Sequence, residues 1–177
     1  MNPSLRAFRF CPHCGSADFV PLDVRSKRCR SCGFTFYLNA SASTAAFILD
    51  DGGRLLCVRR AKAPACGTLD LPGGFVDPGE GLTEGLAREL REELGVEAAE
   101  AVFLFSLPNV YPYGGMEVPT CDAFFRVRLA EGATPAAGDD AAEVVWLALS
   151  EVRPEAFGLA SIRRAVARFV ETAVGEK

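Results

Sequence analysis

Apolar and polar residues alternate along this 177-residue chain in two rhythms, which predict two helices among several strands. Four leucines recur every four positions between residues 80 and 94: Leu82, Leu86, Leu90 and Leu94. This spacing places them on one buried face of a helix, and Gly95 is expected to end it, because glycine is favoured just past a helix C-terminus. A second amphipathic helix is predicted near the C-terminus from one apolar face, formed by Ile162, Val166, Phe169 and Val170.

Six short apolar runs predict strands: residues 45–49, 54–58, 69–71, 101–107, 121–129 and 144–149. The first two flank the turn segment Asp50-Asp51-Gly52-Gly53 and are expected to form a β-hairpin. The aromatic, proline-rich segment between the fourth and fifth runs is expected to be a loop. Strands that alternate with two helices predict one mixed α/β domain over residues 38–177.

The first 37 residues carry four cysteines in two C-x2-C pairs that are separated by fourteen residues: Cys11, Cys14, Cys29 and Cys32. Two such pairs can close a tetrahedral shell of four thiolates around one zinc ion, and four thiolates leave no position for a reacting water. We therefore predict a structural zinc site in a ribbon over residues 1–37. A disulfide framework is the alternative, which the lack of an export signal disfavours. His13, the only histidine, lies inside the first pair and is the alternative to one cysteine as a ligand.

Charge and composition indicate which partners and which location to expect for the protein. The formal net charge is −4 and the pI is near 5.1, so no overall positive field would hold nucleic acid, and a nucleic-acid partner is not expected. The basic run at residues 25–30 is expected to be a solvated hairpin, with a nucleic-acid contact as the alternative. No apolar run approaches the about 20 residues of a membrane span, and no export signal is recognisable, which predicts a cytoplasmic protein without a membrane partner. A polyanionic substrate would therefore have to be bound through a metal ion.

The first predicted helix is rich in carboxylates. At about 100° per residue, Glu89, Glu92 and Glu93 fall on one arc of the helix surface, beside the leucine stripe. Three carboxylates on one arc repel one another unless cations neutralise them, and hard ions such as Mg²⁺ prefer oxygen ligands and bridge substrate phosphates. The alternative is a solvated helix face held by salt bridges.

The residues before this helix complete a longer pattern. The series Gly74-x5-Glu80-x7-Arg88-Glu89-Leu90-x-Glu92-Glu93-x-Gly95-Val96 resembles the signature of the Nudix hydrolases, G-x5-E-x7-R-E-U-x-E-E-x-G-U, in which U is a bulky aliphatic residue. All nine specified positions match within residues 74–96. The resemblance implies an α/β/α sandwich with a mixed sheet, and hydrolysis of a nucleoside diphosphate linked to another group.

The resemblance also implies roles for individual residues. Glu89, Glu92 and Glu93 would bind catalytic Mg²⁺ or Mn²⁺, and the Gly73 carbonyl would be a further ligand. Arg88, together with Glu80, would orient these glutamates by ion pairing. The general base stays open between Glu89 or Glu92 in the helix and an acid from a later loop. The candidates in that loop are Asp139, Asp140 and Glu143.

A four-cysteine ribbon before such a domain is similar to the NADH pyrophosphatase arrangement. Members of that subfamily carry an S-Q-P-W-type motif, but the comparable segment here, residues 106–113, lacks the glutamine and the tryptophan. ADP-ribose or another dinucleotide is therefore as acceptable a substrate as NADH. Tyr111 and Tyr113 are expected to stack on a base, with packing over the sheet edge as the alternative, and Arg59 is expected to hold phosphate or ribose.

Two functions remain open from the sequence. The first is a metal-dependent pyrophosphohydrolase. The second is a regulatory module in which a non-catalytic pocket of the same kind senses a nucleotide while the ribbon contacts nucleic acid or protein. The oligomeric state is open as well, with a homodimer as one option.

Overall fold

A computed structural model describes residues 2–138 and 141–175. In this part of the chain the strands are β1 (Phe19–Pro21), β2 (Ser26–Cys29), β3 (Thr35–Tyr37), β4 (Ser41–Ile48), β5 (Arg54–Arg60), β6 (Leu69–Asp70), β7 (Ala98–Tyr113), β8 (Met116–Leu129) and β9 (Ala141–Ala148). The α-helices are α1 (Leu82–Leu94) and α2 (Ala160–Gly175), and short 3-10 helices span Pro3–Arg6 and Pro154–Ala156. The chain divides into two compact units. The first contains residues 1–41 and 110–119, and the second contains the rest.

The first unit is built on a small antiparallel sheet in the order β1-β2-β3. Its apolar centre is formed by Cys11, Phe19 and Cys29, which are all buried. Lys27 of β2 is only 7% exposed, because its ammonium lies 4.8 Å from the centre of the Phe19 ring and donates a hydrogen bond to a backbone carbonyl. The prediction that the whole basic run is solvated is therefore wrong at Lys27.

The second unit buries both faces of its central strands. Its sheets have the orders β4-β8-β7 and β6-β5-β9. Because successive side chains of a strand point to opposite faces, β4 and β5 contribute to two separate apolar clusters. Ala45, Phe47, Leu55 and Cys57 pack with α2, whereas Ala46, Ile48, Leu56 and Val58 pack with α1. The two helices thus cover opposite faces of the sheets, which confirms the expected α/β/α sandwich.

The predicted hairpin between residues 45 and 58 is wrong. The turn itself forms, with the Asp50 amide donating to the Arg54 carbonyl at 3.0 Å. Beyond one isolated bridge between Leu49 and Leu55, however, β4 and β5 belong to different sheets. Turn residues determine the local reversal of the chain, but the longer ladders that β5 forms with β6 and β9 determine which strands pair.

The predicted loop between residues 107 and 121 is also wrong, because β7 and β8 continue through it. They are joined by Gly114 and Gly115, whose φ angles of 57° and 76° both lie in the left-handed region that two-residue hairpin turns require. Pro108 and Pro112 are tolerated in β7 because it is the edge strand of its sheet, where a missing amide donor breaks no inner ladder.

Helix α1 ends as predicted, at Gly95 with a φ of 67°, but begins later than expected. Leu82 is its first residue and is 40% exposed, so the buried stripe contains only three of the four leucines. Gly85 occupies the buried position in the first turns, where a Cβ atom would approach the Glu80 carboxylate to 3.2 Å. Helix α2 buries its predicted face, with Ile162 and Val166 in the core. No helix among the described residues has the length and apolar content that a membrane crossing requires.

Candidate metal centres

The four N-terminal cysteines meet in the first unit. Their sulfur atoms all lie within 4.8 Å of one another, with 3.7 Å between Cys11 and Cys32 and 3.6 Å between Cys14 and Cys29. A tetrahedral zinc ion with Zn–S bonds of about 2.3 Å separates its sulfurs by about 3.8 Å. The cluster therefore has the dimensions of a four-thiolate zinc site, and its sulfurs are too far apart for the disulfide alternative.

The two cysteine pairs have the same backbone geometry. In each pair, the glycine after the second cysteine donates its amide to the carbonyl of the first, at 2.8 Å for Gly15 and 3.0 Å for Gly33. Both glycines have positive φ angles, 73° and 78°, which explains why a glycine follows each pair. His13 stacks on the Phe34 ring at 5.6 Å and does not belong to the sulfur cluster.

The thiols of this cluster do not ionise alike without a cation. Burial opposes ionisation of Cys29, but hydrogen bonds from the backbone of Cys32 and Ser31 outweigh it and lower the pKa of Cys29 to about 6. A backbone hydrogen bond from Phe34 favours the Cys32 thiolate, yet burial and the neighbouring thiols raise the pKa of Cys32 to about 12. A dication would allow all four thiolates to form together.

The second cluster lies where the loop of residues 72–76 meets helix α1. The Gly73 amide donates to a carboxylate oxygen of Glu93 at 2.9 Å. Gly74 lies directly against Glu89, since a Cβ atom added to Gly74 would lie 2.5 Å from the Glu89 carboxylate. The loop backbone therefore contacts two of the three predicted metal ligands, and only glycine leaves room for the Glu89 carboxylate.

Strand β4 holds this loop in register. The Ala46 amide donates to the Pro72 carbonyl at 2.9 Å, and the Thr44 amide donates to the Gly74 carbonyl at 2.8 Å. Gly73, between them, has a φ of 139°, and a Cβ atom there would lie 2.2 Å from the Thr44 carbonyl oxygen. The predicted ligand carbonyl of Gly73 thus lies between two carbonyls that are bound to the sheet.

Arg88 gathers the surrounding carboxylates. Its guanidinium forms a bidentate pair with Glu80, at 2.9 and 3.0 Å, and donates to Glu89 at 2.9 Å and to Glu92 at 3.0 Å. It also donates to the Phe75 carbonyl at 2.8 Å. Hydrogen bonds to Glu80 and Glu89 raise the pKa of Arg88, and the hydrogen bond from Arg88 lowers the pKa of Glu80. One partly buried arginine therefore orders three carboxylates.

The predicted pair Arg59 and Glu143 lies elsewhere in the same unit. The two residues are cross-strand partners in the β5–β9 ladder, and their side chains form an ion pair at 2.9 Å. Arg59 also donates to the Gly67 carbonyl at 2.9 Å. The two residues were predicted to have separate roles, whereas the structure pairs them with each other. Asp139 and Asp140 lie outside the described residues.

The loop that leads to Glu143 is attached to α1, a contact that no sequence pattern predicts. The Gly138 amide donates to the Glu93 carbonyl at 2.8 Å, and the Ala136 amide donates to the Leu94 carbonyl at 3.0 Å. A Cβ atom on Gly138 would lie 2.3 Å from the Glu92 carbonyl oxygen. No sequence signal marks Gly138, because its role depends on a contact with a distant helix.

Tyr111 and Tyr113 lie near the end of β7, in the part of the β7–β8 hairpin that belongs to the first unit. Tyr113 is 72% exposed. The two predicted base-stacking residues therefore lie in a strand rather than in a loop, and in a different compact unit from the glutamates.

Comparison with known proteins identifies the family. The family model described as NUDIX domain matches residues 40–169, and the chain belongs to this family of hydrolases. A NAD-capped RNA hydrolase NudC from Chromobacterium violaceum is 36% identical over 108 residues, which cover 61% of this chain and 40% of the relative. The protein of that name from Pseudomonas putida is 26% identical over 165 residues, covering 93% of this chain and 55% of the relative.

The chain thus spans about half the length of these curated relatives. Among solved structures, a NUDIX hydrolase from Nitrosomonas europaea superposes with a TM-score of 0.66 at 21% identity, covering 92% of this chain and 90% of that chain. This likeness confirms the expected fold.

Proposed function

We propose that this chain is a divalent-metal-dependent hydrolase that cleaves the pyrophosphate of a nucleoside diphosphate linked to another group. ADP-ribose, NADH or a related dinucleotide is the expected substrate. The observation that carries the proposal is the convergence of Glu89 and Glu93 on the backbone of Gly73 and Gly74, with Glu92 joined to Glu89 through Arg88.

The donor set fits Mg²⁺ or Mn²⁺. Glu89, Glu92 and Glu93 offer only oxygen atoms, and the Gly73 carbonyl would add another, which are the ligands that hard divalent ions prefer. The Arg88 guanidinium is hydrogen-bonded to three carboxylates, those of Glu80, Glu89 and Glu92. One positive charge does not balance three negative charges, so the carboxylates keep an excess of negative charge that a dication can neutralise.

The residues of this cluster would have different roles in hydrolysis. A bound cation would neutralise charge on the phosphates and acidify a water molecule. Glu89, Glu92 and Glu93 would hold it, while Arg88 keeps the first two in place. The general base remains open between Glu89 or Glu92 and a loop acid among Asp139, Asp140 and Glu143, of which Glu143 is ion-paired with Arg59.

A substrate panel with a matched variant tests this proposal. Turnover of ADP-ribose, NADH, diadenosine polyphosphates and nucleoside triphosphates should require Mg²⁺ or Mn²⁺ and should be abolished by Glu93→Gln. Glu100→Gln, which changes an exposed glutamate paired with Arg128, is the control and should retain activity. Nucleotide binding without turnover of any panel member would instead favour the sensing module.

NAD-capped RNA belongs in the same panel. The curated relatives carry that substrate in their names, and a capped RNA is itself a nucleoside diphosphate linked to a large group. Turnover of capped RNA in preference to free dinucleotides would show that the expectation of no nucleic-acid partner is wrong.

For the first unit, we propose that Cys11, Cys14, Cys29 and Cys32 hold a structural zinc ion. The sulfur separations fit such an ion, and a segment this short has little apolar core of its own. We further propose that the ribbon covers residues 1–37 and the hydrolase domain residues 38–177.

A further inference from the structure

Strand β4 contains a buried hydroxyl that has no hydrogen-bond partner among the described residues. Thr44 is 3% exposed, and its Oγ1 atom is the unpaired group. Buried hydroxyls are normally hydrogen-bonded, because an unpaired one loses its contact with water without compensation. The preceding residue, Ser43, shows the usual solution, since its hydroxyl donates to the buried Asp122 carboxylate.

The pairing of β4 with the loop of residues 72–76 shows where this hydroxyl lies. Ser43 forms an antiparallel bridge with Phe75, so the next residue, Thr44, is the direct partner of Gly74. The hydrogen bond from the Thr44 amide to the Gly74 carbonyl agrees with this register. Directly paired residues of antiparallel strands point their side chains to the same face, with Cβ atoms about 4.5–5.5 Å apart.

This register makes Thr44 a neighbour of Glu89. The Cβ position of Gly74 lies 2.5 Å from the Glu89 carboxylate, and the Thr44 side chain stands beside that position on the same face. The alternation of β4 agrees, because Ala46 and Ile48, which share the face of Thr44, pack in the cluster that contains the leucines of α1.

We propose that Thr44 is a positioning residue whose hydroxyl donates a hydrogen bond to the Glu89 carboxylate when a divalent cation occupies the glutamate cluster. This inference rests on the proposed function. Without a cation, Glu89 accepts a hydrogen bond from Arg88 at 2.9 Å. A carboxylate can accept more than one hydrogen bond, and the Thr44 hydroxyl, which stands beside the Cβ position of Gly74 on the same face, is a buried donor without a partner of its own among the described residues.

Two substitutions separate the hydroxyl from the shape of the side chain. Thr44→Val keeps the branched shape and removes the hydroxyl, whereas Thr44→Ser keeps the hydroxyl. Binding of Mn²⁺ and of Mg²⁺ is measured by titration calorimetry without nucleotide, and unfolding by urea is measured without metal. Neither readout requires turnover.

We expect Thr44→Val to bind Mn²⁺ about tenfold more weakly than wild type, which is the size of one hydrogen bond to a charged group. Its urea midpoint without metal should be equal to or higher than that of wild type, because an unpaired buried hydroxyl is removed. Thr44→Ser should bind Mn²⁺ within about twofold of wild type.

Three results would overturn the inference. Wild-type metal affinity in Thr44→Val would show that the hydroxyl does not act on the cluster. Equal losses in Thr44→Val and Thr44→Ser would assign the effect to packing. Failure of Thr44→Val to fold would mean that the hydroxyl already has a partner without metal. Absence of metal uptake by the wild-type protein would be a different result, because it would overturn the proposed function as well.

Discussion

Substitution of Gly74 by alanine is expected to displace the Glu89 carboxylate while leaving the stability of the fold nearly unchanged. The added methyl group would lie 2.5 Å from the Glu89 carboxylate, whereas an ordinary contact needs about 3.5 Å. Because the obstacle is the end of a flexible side chain, the carboxylate can move by about 1 Å and the backbone can stay. Gly74 does not have a left-handed φ angle, so alanine introduces no backbone strain.

The expected result is a large loss of activity with little loss of stability. A displacement of about 1 Å in a catalytic group can lower the rate by about 10²-fold, or about 2.7 kcal/mol of transition-state stabilisation. The free energy of unfolding should change by less than about 1 kcal/mol, because alanine also restricts the unfolded chain. The assay is kcat/KM on the best substrate of the panel at saturating Mg²⁺, with urea unfolding of the same preparation.

Two other glycine variants serve as controls for this measurement. Gly52→Ala lies in an exposed turn, where the nearest atom would be 3.3 Å away, and should change neither quantity appreciably. Gly73→Ala should instead destabilise the fold, since its methyl group would lie 2.2 Å from a backbone oxygen and its φ is 139°. If Gly74→Ala hydrolyses substrate as wild type does, Glu89 does not act from the position described here and the reasoning is refuted.

Two further predictions concern zinc and acid. Chelation of zinc should unfold the ribbon while hydrolysis largely survives, as followed by circular dichroism and turnover along one chelator titration; loss of turnover in step with zinc would contradict a purely structural role. The hydrogen bond from Arg88 lowers the pKa of Glu80, so its contribution to stability is present above the unfolded carboxyl pKa and is lost as the pH falls through the lowered one. Below about pH 4.3, the urea midpoint of wild type should therefore fall more steeply than that of Glu80→Gln, and parallel curves would count against this ion pair.

Features that depend on spacing within one segment could be predicted from the sequence. The period of α1 places Glu89, Glu92 and Glu93 on one arc, and Gly95 ends the helix, because both depend on helix geometry alone. The turn of each cysteine pair follows from its C-x2-C-G sequence in the same way. Such local rules need no knowledge of the rest of the fold.

Features that depend on pairing between distant segments could not be predicted. Turn residues at positions 50–53 indicated a hairpin, but β5 forms its ladders with β6 and β9. The β5–β9 ladder also pairs Arg59 with Glu143, two residues whose predicted roles were independent. Thr44 carries no motif at all, and its relation to Glu89 appears only when the register of β4 against Gly74 is known.

Glu93 links the two segments on which the choice of general base depends. Its carboxylate accepts the Gly73 amide at 2.9 Å, and its carbonyl accepts the Gly138 amide at 2.8 Å. The loop of residues 72–76 and the loop that leads to Glu143 are therefore attached to the same turn of α1. A loop acid acting as base would depend on the backbone of Glu93, whereas a base within α1 would not. In Gly138→Ala the added methyl group would lie 2.3 Å from the Glu92 carbonyl oxygen and 3.0 Å from that of Glu93, so either the loop or this turn of α1 must shift. Loss of turnover at unchanged metal affinity would indicate a base in the loop, whereas loss of both would indicate that the ligands on α1 have moved.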